Sequence, residues 1–244
     1  MSTQTLISWA DHTWNPWRGC TRVSSGCANC YMFAAQRRWG RDPSVVTRTT
    51  KSVWDTPRKW QRDARAAGQT RRVFACSWSD WFHADADSWR PEAWERIKST
   101  PDLIYMILTK RADRIADHLP PSWGDGWPNV WLGVTCEDQS QSHRVESLSR
   151  VPAVVRFVSY EPAIGPLSLD LQRLGVSWVI YGGESGPGYR PEGEPGDPKQ
   201  WARSMRDQCH AAGVAYFHKQ SAATHTERGV ELDGEIYHEL PVIA

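Results

Sequence analysis

Between Arg72 and His218 the chain alternates two patterns: short runs that are apolar nearly throughout, and longer stretches in which apolar residues recur every three or four positions. The runs read as strands buried on both faces and the stretches as helices that cover them. The strand candidates are 72–77, 103–109, 130–135, 153–159, 177–181 and 214–218. Helices are expected near 88–99, 110–118, 138–150 and 199–212. Ser88 ahead of Arg90-Pro91-Glu92 and Asp197 ahead of Pro198 read as N-caps, and Gly213 reads as a C-terminal stop. Before residue 72 the pattern is less regular, with a first strand expected within 6–17 and helices near 27–39 and 52–67.

This rhythm predicts an α/β fold with parallel strands joined by right-handed crossovers. A doubly wound sheet fits it too. A parallel (β/α) barrel, partial or complete, is favoured because polar residues gather just past nearly every strand: Ser77 to Asp80, Lys110-Arg111, Cys136-Glu137, Tyr160-Glu161, Gly182 to Ser185 and Lys219-Gln220. In such barrels these ends open onto the face where sites are built. The expected organisation is one domain, 1–244. It divides into a cysteine loop and basic helical segment (1–70), repeated strand–helix units (71–220) and a tail (221–244).

No stretch approaches the roughly 20 apolar residues of a membrane span, and the first residues carry neither a basic leader nor an apolar core. The expectation is a soluble, cytoplasmic protein with no membrane partner. The net charge of +1 hides an asymmetry: residues 18–72 hold thirteen Arg or Lys against three Asp or Glu, which makes that segment +10 and the remainder −9. Such a split suggests a polyanion-facing patch, with nucleic acid or a nucleotide as the leading partner, against the alternative of a solvated helical face. Trp14, Trp17, Trp39, Trp54 and Trp60 lie in or beside it and offer rings for base stacking or for core packing.

Three of the six cysteines crowd into eleven positions as C-x6-C-x2-C: Cys20, Cys27 and Cys30. This crowding suggests ligation rather than bridging. Gly19 and Gly26 precede two of them, where a loop that wraps a metal benefits from free backbone angles. Structural zinc takes four ligands and would have to recruit His12 or a distant cysteine, whereas a cubane cluster on three cysteines leaves one iron open for chemistry. Cys76, Cys136 and Cys209 stand apart and read as buried apolar side chains.

The segments GCTRVSSGCANCY, CSWSDWFH, ILTKRADR, LGVTCED, VSYEPAIGPL, VIYGGESGPGYRP and GVAYFHKQ, in this order across residues 19–220, resemble the phage-associated three-Cys-motif proteins related to radical S-adenosylmethionine (SAM) enzymes. The resemblance implies a [4Fe-4S] cluster on Cys20, Cys27 and Cys30 and SAM as cofactor, cleaved to a 5′-deoxyadenosyl radical. It also implies an electron donor and a family partner protein. The usual loop is C-x3-C-x2-C with an aromatic residue before the last cysteine; here the first gap is six residues and Asn29 takes that place, next to Tyr31 beyond the cysteine. Gly182-Gly183-Glu184 matches the SAM-binding Gly-Gly-Glu motif in letters but follows a late strand rather than an early one. The cofactor-binding candidates are therefore Gly182, Gly183, Glu184, Ser159 and Tyr31. Glu161 and Lys110, at strand ends, are the catalytic candidates, with Arg111, Lys219 and Gln220 beside them. Asp80, His83, Asp85 and Asp87 lack the spacing of a calcium loop.

Two rival functions use the same residues. A glycosidase would employ Glu161 and Glu184 as its carboxylate pair, and a zinc-stabilised nucleic-acid-binding module would use the cysteines and the basic segment without catalysis.

Overall fold

The computed structural model describes residues 5–242. Its elements in chain order are β1 (His12–Trp14), β2 (Trp17–Arg18), α1 (Tyr31–Arg38), β3 (Thr47–Arg48), α2 (Lys51–Ala67), β4 (Arg71–Ala75) and α3 (Arg90–Lys98). After these come β5 (Leu103–Thr109), β6 (Val130–Thr135), α4 (His143–Ser149), β7 (Val155–Ala163), β8 (Trp178–Gly183), α5 (Gln200–Ala212) and β9 (Ala215–Gln220). No helix among the described residues is long and apolar enough to cross a membrane.

Seven strands follow the order β1-β4-β5-β6-β7-β8-β9, and the registers β1/β4, β4/β5, β7/β8 and β8/β9 are all parallel. Since β1 and β9 have one neighbour each, the α/β sheet is open, the partial form of the expected barrel. β2 and β3 form a separate antiparallel ribbon that the hydrophobic pattern did not reveal, because two-residue strands carry no period.

Two compact units divide the chain. One takes the N-terminal stretch to Arg22, Met32–Leu132 and Pro152–Val154; the other takes Val23–Tyr31, Gly133–Val151 and Val155 onward. The first packs around indoles. Trp81 is fully buried, with ring centroids 6.0 Å from Trp14 and 5.0 Å from both Trp17 and Trp94. Trp94 in turn meets Trp123 and Trp127. Trp14, Trp17, Trp54 and Trp60 are therefore core, and of the five tryptophans expected to offer rings only Trp39 is exposed, at 53%. Three of these rings have their one polar atom satisfied: Trp14 donates to Val53 O, Trp17 to Asp80 O and Trp54 to Pro16 O.

Several local expectations change. Residues 110–118 form two 3₁₀ turns rather than a helix, and the segment after β6 begins as a 3₁₀ turn at Gln139–Gln141 before α4. Asp138 caps that turn by accepting from Ser140 N–H. Ser88 and Asp197 are not N-caps; Trp89 and Lys199 hold those places. Gly213 does end α5, in the left-handed conformation at φ +66°. β7 extends beyond the expected strand 153–159, through a cis Glu161–Pro162 peptide to Ala163. Cys76, Cys136 and Cys209 are buried, as their isolation predicts.

Candidate active site at the strand ends

In the second unit the charged groups just past β6 and β8 and at the ends of β7 and β9 are engaged in separate charge-assisted contacts. Glu137, after β6, is fully buried. It accepts from Arg144 Nη1 at 2.7 Å on one oxygen and from the Ser24 hydroxyl at 2.6 Å on the other. Arg144 also donates to Thr135 O at 3.0 Å. Gly26 lies against this carboxylate so closely that a Cβ there would stand 2.4 Å from it. Its role is thus close approach rather than a free backbone angle. Gly19, in the first unit, is the one that adopts a positive φ, +96°.

Glu184, after β8, is 4% exposed. One oxygen accepts from Asn29 Nδ2 at 2.9 Å, Arg190 N–H at 2.8 Å and Arg190 Nε at 2.9 Å, and the other from Arg190 Nη2. Burial alone would raise its pKa, but the hydrogen bonds from Arg190 and Asn29 outweigh burial and hold the carboxyl below its usual range. Asn29 lies between Cys27 and Cys30 in sequence, and Ser24 lies just before them. The C-x2-C loop is therefore tied at one end to Glu137 and in its middle to Glu184. Cys27 is buried and Cys30 half-buried. Glu184, the expected cofactor contact, is thus hydrogen-bonded to Asn29 and Arg190.

Glu161 accepts from Lys219 Nζ at 2.5 Å, which joins the ends of β7 and β9. Both side chains are largely buried, at 21% and 10% exposure. Gly182 makes room for this pair, since a Cβ there would come within 2.9 Å of the Glu161 carboxyl. Gly183 likewise leaves room for Ala222 N and the Glu192 carboxylate. Glu192 is buried against the Tyr181 hydroxyl at 2.8 Å, and burial raises its pKa. Gln220 is used within the fold, donating to Gly183 O and accepting from Thr226 and Glu227. Ser159 is buried with its carbonyl on Cys136 N–H, whereas Tyr31 is 54% exposed at the start of α1.

In the first unit Arg111, next to the catalytic candidate Lys110, reaches Cys20 and Thr21. Its Nη1 lies 3.1 Å from Asp80 Oδ2 and donates to Cys20 Sγ at 3.6 Å, while Nη2 bonds the Thr21 carbonyl and hydroxyl. Burial pulls the Arg111 pKa down, but Asp80 and Cys20 more than compensate, so the guanidinium stays charged beside the sulfur. Lys110 contributes its backbone N–H to Asp80. Asp80 is filled by Arg111, Thr109, Lys110 N–H and Phe82 N–H. His83 accepts from Asp85 N–H on Nδ1, so Nε2 carries the proton toward Thr21 Oγ1 at 3.1 Å. Burial and the nearby Arg111 lower its pKa.

All six cysteines are free thiols. Among the described residues no three His, Cys, Asp or Glu side chains stand together as a metal site. The donor chemistry nevertheless fits a soft metal group. Three thiols fall within eleven positions of the chain; in the first unit the sulfur of Cys20 faces Arg111, and in the second that of Cys27 lies 4.0 Å from the Ser24 hydroxyl. Sequence reasoning missed Glu137, Arg144, Ser24 and Arg190 as loop anchors. The one signal available was the position of Glu137 at a strand end.

The sequence matches the family described as DUF5131, a protein family of unknown function, over residues 4–241. The chain belongs to this family. No curated protein matches it. Among solved structures it is similar to spore photoproduct lyase: to a mutant with bound AdoMet and dinucleoside spore photoproduct, TM-score 0.57, and to the lyase complexed with dinucleoside spore photoproduct, TM-score 0.58. Identity is 12% in both; 93% and 92% of this chain are covered, with 79% of each lyase chain. The fold of this DUF5131 member is thus that of spore photoproduct lyase: α/β, with an open parallel sheet.

Proposed function

We propose that this protein is a radical-SAM-type enzyme in which Cys20, Cys27 and Cys30 hold a [4Fe-4S] cluster that also takes SAM. The observation that carries the reading is the docking of the Cys27–Cys30 loop onto the ends of β6 and β8, through Ser24 to Glu137 and Asn29 to Glu184. Three cysteines within eleven positions can be wrapped by a single loop, and the likeness in fold to an enzyme solved with AdoMet supports the same assignment. The ordered sequence blocks support the finer kinship with phage-associated three-Cys-motif proteins.

Bound to such a loop, the cluster and SAM together would supply one-electron cleavage to a 5′-deoxyadenosyl radical. The chain's own residues position and shield. Glu137 and Glu184 fix the loop, and Arg111 places a positive charge at Cys20 Sγ, where it favours thiolate. Glu161 and Lys219 form a largely buried, hydrogen-bonded pair at the ends of β7 and β9, where they would face a substrate. The basic segment supports a nucleic-acid base or nucleotide as the substrate, with an external electron donor and a family partner protein completing the system.

The glycosidase alternative loses support, because it needs one carboxyl kept protonated. Glu184 is held ionised by Arg190 and Asn29, and Glu161 faces the Lys219 ammonium.

The test is anaerobic purification, reconstitution with iron and sulfide, and reduction, read by EPR with and without SAM and by 5′-deoxyadenosine release. The expected result is a brown protein whose EPR signal shifts with SAM and whose release depends on Cys20, Cys27 and Cys30, each replaced by Ala. A colourless protein with one zinc, indifferent to SAM, would overturn the reading in favour of the zinc-stabilised binding module.

A further inference from the structure

We infer that Trp39 and Trp78, with Arg37, Arg38 and Arg41, form a stacking platform for single-stranded nucleic acid. The other tryptophans of the basic segment are buried, but Trp39 stays 53% exposed, and its ring lies parallel to that of Trp78 at 5.3 Å and 7°. Even with Trp78 stacked beside it, more than half of the Trp39 surface stays open to solvent. The Arg41 guanidinium sits 5.9 Å from the Trp39 centroid.

The ring is held rather than dangling. Trp39 is the last residue before Gly40, which takes φ +68°; Gly40 N–H donates to Arg37 O and Arg41 N–H to Gln36 O. This double bond pattern closes α1 as a Schellman motif and fixes the direction in which Trp39 leaves the helix. Trp78 is fixed independently: Asn15 Oδ1 accepts its N–H at 2.8 Å, and its carbonyl accepts Gly19 N–H at 3.0 Å. Two stacked rings set before binding lose little conformational entropy when a base joins them.

Around the rings the charge is positive. Arg37, Arg38 and Arg41 are all exposed. The neighbouring carboxylate, Asp42, is exposed and accepts from the Ser44 hydroxyl and N–H, which lower its pKa, and it lies close enough to Arg37 to offset part of that charge. An exposed aromatic face with a ring of arginines fits unpaired bases strung on phosphates, because every base has a stacking face and the arginines meet the backbone. An acidic protein would use the arginines but not the parallel rings.

This surface deepens the nucleic-acid reading of the substrate, yet its test needs neither cluster nor SAM. The whole, unreconstituted chain would be titrated into a labelled single-stranded DNA dodecamer and, separately, into polyphosphate of equal charge, read by anisotropy and by competition. The DNA should bind more tightly than polyphosphate. Trp39→Ala should weaken DNA binding at least about five-fold while leaving polyphosphate unchanged, and Trp39→Phe should restore most of the loss. Arg41→Gln should reduce the dependence of log affinity on log salt by roughly 0.7. Circular dichroism and thermal unfolding would establish that the variants fold. Equal affinity for both polyanions, or DNA binding indifferent to Trp39→Ala, would overturn the platform and leave the cluster proposal standing.

Discussion

The two units solve the same problem, closing the ends of parallel strands, with different chemistry. In the first, indoles fill the core, and the strand-end acid Asp80 is consumed by Arg111, Thr109 and two backbone N–H groups. In the second, carboxylates follow or end three strands: Glu137 after β6, Glu161 within the end of β7 and Glu184 after β8. Each is partnered by a cation: Arg144, Lys219 and Arg190 respectively. Aromatic packing is forgiving of direction and rewards area, whereas a buried ion pair pays desolvation and is worth keeping only when its geometry is used. The difference teaches where position matters: the charged unit is the one that grips the Cys27–Cys30 loop.

The largest effect should come from attacking each device in turn. Trp81→Ala removes a ring packed against Trp14, Trp17 and Trp94 and should cost about 4 kcal/mol in urea unfolding. Glu137→Ala strands Arg144 and should cost about 3 kcal/mol, but the paired change Glu137→Met with Arg144→Leu should regain most of it. If the paired change stayed as unstable as the single one, the ion pair would be a packing element no different in kind from the indoles.

Next in size is a pH effect confined to the second unit. His218 is fully buried, and burial lowers its pKa to about 4. Above pH 6.5 both folded and unfolded states are neutral there and nothing is lost. As pH falls from about 6.5 to about 4 only the unfolded state gains the proton, so stability should decline by about 3 kcal/mol across that window. Urea midpoints at pH 7.5 and 4.5 for wild type and His218→Phe test this: the variant should show the shallower decline, and parallel slopes would assign the acid sensitivity elsewhere.

The smallest effect sharpens the loop argument. Asn29→Ala removes one donor from Glu184 while Arg190 keeps that carboxylate paired, so stability should fall by only about 1 kcal/mol. Amide hydrogen exchange across 24–31 should nevertheless rise, because the middle of the loop loses its tie. Unchanged exchange would mean that Ser24 and Glu137 alone set the loop.

By itself the sequence determined the strand–helix succession, the parallel α/β class and the crowding of three cysteines, because periodicity and spacing are local properties that burial on both faces imprints on every strand. Leu103–Thr109 and Val130–Thr135 were legible to the residue. It could not say which tryptophans in the basic segment were core, since the same residue serves packing and stacking; only the fold buried Trp14, Trp17, Trp54 and Trp60 and left Trp39 in water. Nor could it say that Glu184, with the letters of a cofactor motif, would be claimed by Arg190 and Asn29, or that Arg111 rather than Lys110 would reach Cys20. The loop's anchors lie 113 and 155 positions away from Ser24 and Asn29 in the chain. Which charge meets which is decided by tertiary structure, because a buried ion must find its partner in space, and no period along the chain encodes that distance.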